Sequence, residues 1–307
     1  MPPGFHADPG DHQPGAVRGR PHGPRGLPAR ETRAPQELMT ASAPQQPGSP
    51  GTLKAVAILP ARLDSTRLER KMLLCETGSF LFEHSARNVL ASGAVSQVLV
   101  ATDSEEILAA ARSVGLPAAL TRADHKSGTD RVFEALTGLE ETGAGPFDVV
   151  LNVQADEPDV AALDLRQLVA AFEDPAVELA TLCVALDNSE EAAQPSRVLV
   201  VRDEQGDALY FSRARIPDAS HARGKAQGTW LRHIGVYAFR PAALARFCGL
   251  AEGRLERLEN LEQLRWLEAG GRLRVLDASH APSGIDTAAD YSAFVARMAA
   301  AQPPART

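Results

Sequence analysis

A chain of 307 residues, 44% hydrophobic and with a formal net charge of −7, has enough apolar material for one or two domains with a full core. The mildly acidic balance argues against general nucleic-acid binding, which carries a basic footprint. No run approaches the roughly 18 apolar residues of a membrane span, and the N-terminus lacks a signal peptide's apolar core. Cys75, Cys183 and Cys248 are scattered without C-x-x-C spacing, so neither a disulfide framework nor a zinc site is indicated, and a reducing, cytoplasmic setting fits.

Residues 1–52 are rich in Pro, Gly, Arg and Gln and lack aliphatic periodicity. Such a segment cannot bury enough apolar surface to offset its ordering entropy, and it reads as a disordered leader. Met39 lies within it, so a start at Met39 or a dispensable leader is expected, with residues 1–38 removable without loss of activity.

From Lys54 the pattern alternates. Val56–Leu59 is a short apolar run, the mark of a buried parallel strand, and Pro60, which has no N–H to donate, is expected to stop its pairing. Phe80–Leu90 has helical period and Gly93 closes it; Val95–Ala101 is a strand; Glu105–Val114 is a helix opened by acids, as the macrodipole prefers. Pro117–Leu120 is a third strand. A polar loop follows, then a helix over Thr129–Leu139 and a nearly all-apolar fourth strand over Phe147–Val153. This alternation predicts an α/β fold with a doubly wound, mixed but mostly parallel sheet.

The second half is less regular. Leu163–Phe172 reads as a helix and Leu179–Leu186 as a strand. Arg197–Val201 and Ala208–Ser212 flank Asp203-Glu204-Gln205-Gly206, a hairpin signal. A polar loop over Pro217–Thr229 precedes a strand over Leu231–Phe239. One helix is expected over Glu259–Glu268, ended by Gly270-Gly271, then a last strand over Arg272–Leu276. Asp286 opens a C-terminal helix, and the tail frays from Gln302. The expected organisation is a single domain over residues 53–302, its nucleotide-binding half about 53–160 and its second half about 161–302.

The loop after the first strand carries Arg62, Ser65, Thr66, Arg67 and Lys71. Ligands of open α/β sheets bind beyond the carboxyl ends of the strands, and these cations and hydroxyls suit a polyanion such as a nucleoside triphosphate. The bland reading is a solvated basic loop. It is not a Walker A loop, because G-x-x-x-x-G-K-[ST] is missing. Asp156 and Glu157 follow the fourth strand. A carboxylate there either holds Mg²⁺ against phosphate oxygens or pairs with Arg62 or Lys71. Asp286 is a second candidate ligand, with a helix N-cap as its plainer role. Tyr210 and Phe211 read as core. A lone strand histidine such as His233 is more often packed or at the surface, and Glu262 and Gln263, about 100° apart on a helix, could both be solvated.

The chain carries seven blocks in order: Pro60-Ala61-Arg62 with Ser65-Thr66-Arg67-Leu68 and Lys71; Thr121-Arg122-Ala123-Asp124-His125 with Ser127-Gly128-Thr129; Asn152-Val153-Gln154-Ala155-Asp156-Glu157-Pro158; Ala208-Leu209-Tyr210-Phe211-Ser212-Arg213 with Ile216-Pro217; Leu231-Arg232-His233-Ile234-Gly235-Val236-Tyr237; Leu261-Glu262-Gln263-Leu264-Arg265; and Gly284-Ile285-Asp286-Thr287. Taken together, these blocks resemble the 3-deoxy-manno-octulosonate (Kdo) cytidylyltransferases. The resemblance spans roughly residues 54–300 in the family's order.

The resemblance implies a nucleotidyltransferase fold, a homodimer, and Mg²⁺-dependent transfer of CMP from CTP to the anomeric hydroxyl of an acidic sugar, Kdo, with release of pyrophosphate, in lipopolysaccharide synthesis. It implies that Asp156 and Asp286 hold the metal, that Arg62, Lys71, Arg122, Ser127 and Gly128 surround CTP, and that Arg213, His233, Tyr237, Glu262 and Gln263 line the sugar pocket, in the half that would also carry the dimer contact. Lys71 would offset charge building on the phosphates. The alternatives are the same reaction on another acidic sugar, such as an amino-Kdo or a nonulosonic acid, and a non-catalytic nucleotide-binding relative. The chain departs from the family where Glu69-Arg70 stand for Pro-Gly, Met72 for a proline and Ala155 for a glycine. These changes spare the charged side chains.

Overall fold

The computed structural model describes residues 53–301, apart from Thr66, Asp187, Pro195 and residues 223–229. The leader, the tail from residue 302 and most of the 217–229 loop lie outside the described residues. The described residues make one compact unit, and strands from both halves of it enter one nine-stranded sheet.

Strand β1 (Ala55–Ala61) is buried along its whole length. It runs parallel to β2 (Gln97–Thr102) on one side and to β4 (Val149–Asn152) on the other, while β3 (Ala118–Leu120) extends the parallel set beyond β2. Pro60 does not end β1; it stays in register with Ala101. Lys54 and Ile58 offer their carbonyls to the β4 side, whereas Ala55 serves the β2 side. By alternation Pro60 faces β4, which has already ended opposite Ile58, so its missing N–H leaves no pairing unmet.

The crossovers are α1 (Leu81–Ala91), α2 (Glu105–Ser113, capped by Ser104 Oγ) and α3 (Gly128–Glu141, capped by Ser127 Oγ). Helix α4 (Ala162–Ala170) follows β4 and leads to β5 (Leu179–Leu186). A short α5 (Ser189–Ala192) precedes the antiparallel hairpin of β6 (Leu199–Arg202) and β7 (Ala208–Ser212). Strand β8 (Trp230–Phe239) lies antiparallel to β4, β5 and β6, so the second half mixes strand directions where the first is parallel.

Helix α6 (Pro241–Gly249), which the sequence pattern does not announce, begins with a proline whose φ is already helical. The single helix expected over Glu259–Glu268 is two, α7 (Arg254–Glu259) and α8 (Gln263–Glu268), because Asn260 adopts a left-handed φ of 53° that no α-helix can contain. Strand β9 (Arg274–Asp277) pairs parallel to β5, and α9 (Ala288–Ala301) closes the described chain.

Apolar layers cover both sheet faces. Phe82, Ile107 and Leu165 of α1, α2 and α4 pack on one; Val132, Leu244 and Trp266 of α3, α6 and α8 pack on the other. The strand order β3-β2-β1-β4-β8-β5-β9 reverses direction between β1 and β4. The loops leaving these two neighbouring strands diverge there, and the crevice between them is where such sheets take ligands.

Candidate functional site

The loop after β1 ends in a single 3₁₀ turn, Lys71–Leu73, entered by Arg70 with a left-handed φ of 52°. The resemblance leads one to expect glycine at this position, which takes that conformation without strain. The turn sends Lys71 inward. Its ammonium donates to Asp156, to the Ile285 carbonyl at 3.2 Å and to Asp286 Oδ1 at 3.2 Å. Arg67 reaches the same Asp286 oxygen at 3.0 Å. Burial pulls the Lys71 pKa down, but Asp156 and then Asp286 outweigh it, so the pKa is raised and the group stays charged.

Asp286 is free for this because it is not the helix cap. Thr287 Oγ1 accepts the Asp290 N–H, and Asp290 accepts in return from the N–H groups of Asp286 and Thr287. The two loops are also stitched by backbone, Ile285 N–H to the Asp156 carbonyl at 3.0 Å. Of the alternatives open for Asp156, the structure shows the pairing with Lys71.

Two carboxylates brought onto one cation are hard oxygen donors of the kind Mg²⁺ accepts. Among the described residues no three or more His, Cys, Asp or Glu gather to hold a metal. The set therefore fits an ion that takes one or two carboxylates and fills its sphere with phosphate oxygens and water.

Glu157, next to Asp156, has its carboxyl pKa pushed up to about 7, first by burial and then by Asp156. Its Oε2 has no hydrogen-bond partner.

On the nucleotide side, Arg62 donates to the His125 carbonyl at 3.1 Å and so ties the first loop to the loop after β3. Gly128 opens α3 against both crevice loops. A Cβ there would stand 3.3 Å from Pro60 Cγ and 3.6 Å from Gln154 Nε2, so the close approach favours glycine. Ser127 is committed to capping α3 and donates to Asp130 at 3.1 Å. Arg122 is exposed, 3.5 Å from both Asp124 and Glu134. Arg67 is exposed and Ser65 half-buried, while Thr66 lies outside the described residues.

Of the residues assigned to the sugar, His233 and Tyr237 lie on the opposite face of β8 from Ile234 and Val236, near Glu262. His233 is packed between the rings of Phe211 and Tyr237, with Nε2 3.0 Å from Thr181 Oγ1. Burial pulls its pKa down to about 3, so it is neutral. Tyr237 is buried, and burial and then Glu262 raise its pKa well above the ordinary value.

Glu262 and Gln263 are not solvated: the break at Asn260 turns both inward. Thr129 Oγ1 donates to Glu262 at 2.6 Å, and Glu262 Oε2 and Gln263 Nε2 remain buried without partners. Burial raises the Glu262 pKa against the hydroxyls of Thr129 and Ser127. Arg213 lies at the end of β7, donating through Nε to the Glu259 carbonyl at 3.1 Å.

The residue-by-residue reading passed over Thr129, Asn152 and Gln154, which chain the two sides together: Asn152 Nδ2 donates to Thr129 Oγ1, and Gln154 Nε2 to Asn152 Oδ1. Their signals were a polar residue ending an apolar strand, for Asn152, and a place inside the motif blocks of the resemblance, for all three. It also passed over Arg131, which is fully buried and joins Asp103 at 2.6 Å and Thr121 at 2.5 Å, pinning the ends of β2 and β3 to α3.

Residues 56–275 match the family model described as Cytidylyltransferase. The 3-deoxy-manno-octulosonate cytidylyltransferase of Xanthobacter autotrophicus is 45% identical over 240 residues, covering 77% of this chain and 90% of that protein. Its counterpart in Acidobacterium capsulatum is 42% identical, covering 79% and 95%. Among solved structures, a CMP:2-keto-3-deoxy-manno-octonic acid synthetase complexed with CTP aligns with a TM-score of 0.74 at 39% identity, over 81% of this chain and 100% of that one.

Proposed function

Since the chain belongs to the 3-deoxy-manno-octulosonate cytidylyltransferase family, we propose that it transfers CMP from CTP to the anomeric hydroxyl of Kdo, giving CMP-Kdo and pyrophosphate. The observation that carries this reading is the meeting of Lys71, Asp156 and Asp286 at the crevice between β1 and β4.

The sugar's hydroxyl oxygen bonds to the α-phosphorus as the bond to the pyrophosphate oxygen breaks, and the hydroxyl proton leaves to solvent. The acidic sugar and the triphosphate repel each other, so cations must lie between them. Lys71 offsets the charge that builds on the phosphates, and Arg62 and Gly128 shape the wall against which CTP lies. Neutral His233, protonated Tyr237 and the inward pair Glu262 and Gln263 offer hydrogen bonds to sugar hydroxyls from a wall already desolvated. Asp156 and Asp286 would hold Mg²⁺, which when bound would supply Lewis acidity and offset negative charge on the phosphates.

We place the protein as a homodimer in the cytoplasm, supplying an activated acidic sugar to lipopolysaccharide synthesis. Leu209 on β7 is 63% exposed, and the only strand of the sheet that β7 pairs with along its length, among the described residues, is β6, so this hairpin presents an apolar side chain to which a second copy could dock. No helix among the described residues is long and apolar enough to cross a membrane.

The test is pyrophosphate release by purified protein with CTP, Mg²⁺ and Kdo. Release that needs all three supports the reading. CTP binding with no release from Kdo or any other acidic sugar overturns it in favour of a nucleotide-binding relative.

A further inference from the structure

The register between β5 and β8 jumps at one place. Leu182 lies opposite Ile234, and its neighbour Thr181 lies opposite Tyr237. One step along β5 therefore spans three along β8, and Gly235 and Val236 form a bulge. A straight strand rises about 3.3 Å per residue, so positions four apart on it are separated by about 13 Å. The bulge shortens that run, and the rings of His233 and Tyr237 come within 5.4 Å, centre to centre.

The Thr181 side chain fills the bulge. It is fully buried, and its Oγ1 lies 2.8 Å from the Val236 carbonyl oxygen, 3.1 Å from that of Ile234 and 3.0 Å from His233 Nε2. A hydroxyl has one proton to donate and two lone pairs with which to accept. If Thr181 gave its proton to His233, two carbonyl oxygens would face its lone pairs at hydrogen-bonding distance with no hydrogen between. Given to the carbonyls, the same proton removes that repulsion. His233 Nε2 must then be the donor to Oγ1.

Burial keeps the imidazole neutral, so it carries a single N–H. A proton on Nε2 leaves Nδ1 a bare acceptor. Nδ1 has no hydrogen-bond partner among the described residues, and the ring is half-buried rather than sealed.

We propose that Thr181 is a positioning residue, holding His233 as the Nε2–H tautomer so that Nδ1 presents its lone pair to a hydroxyl of the acidic sugar. An acceptor at that place favours a hydroxyl, which can donate, and repels a carboxylate, which cannot. Thr181 thus selects, through His233, which group of the sugar meets this wall. The inference rests on the cytidylyltransferase reading and deepens it.

The experiment records long-range proton–nitrogen correlations of the protein carrying isotope-labelled histidine, at neutral pH and without ligand. His233 is identified by the signals lost in His233→Gln. The expected wild-type ring is protonated on Nε2 and bare on Nδ1. Thr181→Val keeps the shape without the hydroxyl. It should release the tautomer and raise KM for Kdo by about tenfold, the effect of one unmatched hydrogen bond, with KM for CTP near wild type. Thr181→Ser restores the hydroxyl and should restore both readouts. A wild-type ring protonated on Nδ1 overturns the proposal without any variant. So does a Thr181→Val protein whose KM for Kdo is unchanged, or one whose KM rises equally for both substrates, as a purely structural plug of the bulge would give. Turnover of Kdo by the wild type tests the activity separately, because the tautomer is read without substrate.

Discussion

Lys71 and Asp286 stand 215 positions apart in the chain and meet at 3.2 Å. The contact joins the first crossover loop to the entrance of the last helix, and Asp156 completes it from the end of β4. One ammonium bridges two carboxylates that would otherwise repel each other.

Lys71→Ala should therefore lower kcat by about 10²–10³, the usual loss on removing one preorganised donor to developing charge, while the circular dichroism stays that of a folded protein. Steady-state assays with saturating CTP and Kdo measure it. A variant with near-normal turnover would show that Lys71 is only a structural tether.

Chelation by EDTA should abolish turnover, and added Mg²⁺ should restore it. Asp156→Asn should raise the Mg²⁺ concentration needed for half-maximal rate, since one of the two hard anionic donors is lost. If the EDTA-treated protein keeps its rate, the metal assignment fails.

Glu262 is held inward by Thr129 and has one oxygen still unpartnered. Glu262→Gln keeps the shape but exchanges an acceptor for a donor. It should raise KM for Kdo by about tenfold or more, the effect of an unmatched buried polar contact of about 1–3 kcal/mol, and leave KM for CTP near wild type. An equal rise in both would place Glu262 elsewhere than in the sugar pocket.

His233 has a folded-state pKa of about 3, below its ordinary 6.5, because burial opposes the charged ring. Between these values the unfolded chain binds the proton and the folded one does not. The stability it confers is whole above pH 6.5 and falls as the pH drops from there toward 3, by about 1.4 kcal/mol per pH unit at most. Urea unfolding of wild type and His233→Gln at pH 7, 6 and 5 should show a slope in the first that is reduced in the second. Parallel curves would show that other groups govern the acid limb.

Gly271 packs directly on the indole of Trp266, which is fully buried and donates to the Arg272 carbonyl at 2.8 Å. A Cβ at Gly271 would lie 2.3 Å from Trp266 Cε2. Gly271→Ala should cost about 2–3 kcal/mol, as overpacking does when the neighbour cannot give way. A urea midpoint unchanged from wild type would mean the β9 entrance shifts freely.

The sequence by itself determined the parallel first half. Runs such as Val56–Leu59 and Val149–Leu151 are apolar at every position, which only a strand covered on both faces can use, and the helices between them have one apolar stripe each. It also named Lys71, Asp156 and Asp286 through motif blocks whose residue types suit a triphosphate and a hard cation. It did not determine where Pro60 points, that Thr287 rather than Asp286 caps the last helix, or that the chain breaks at Asn260 and turns Glu262 and Gln263 inward. Only the tertiary structure decided these. Each depends on which neighbour a backbone group or side chain meets from a distant part of the chain, and local periodicity holds no record of that.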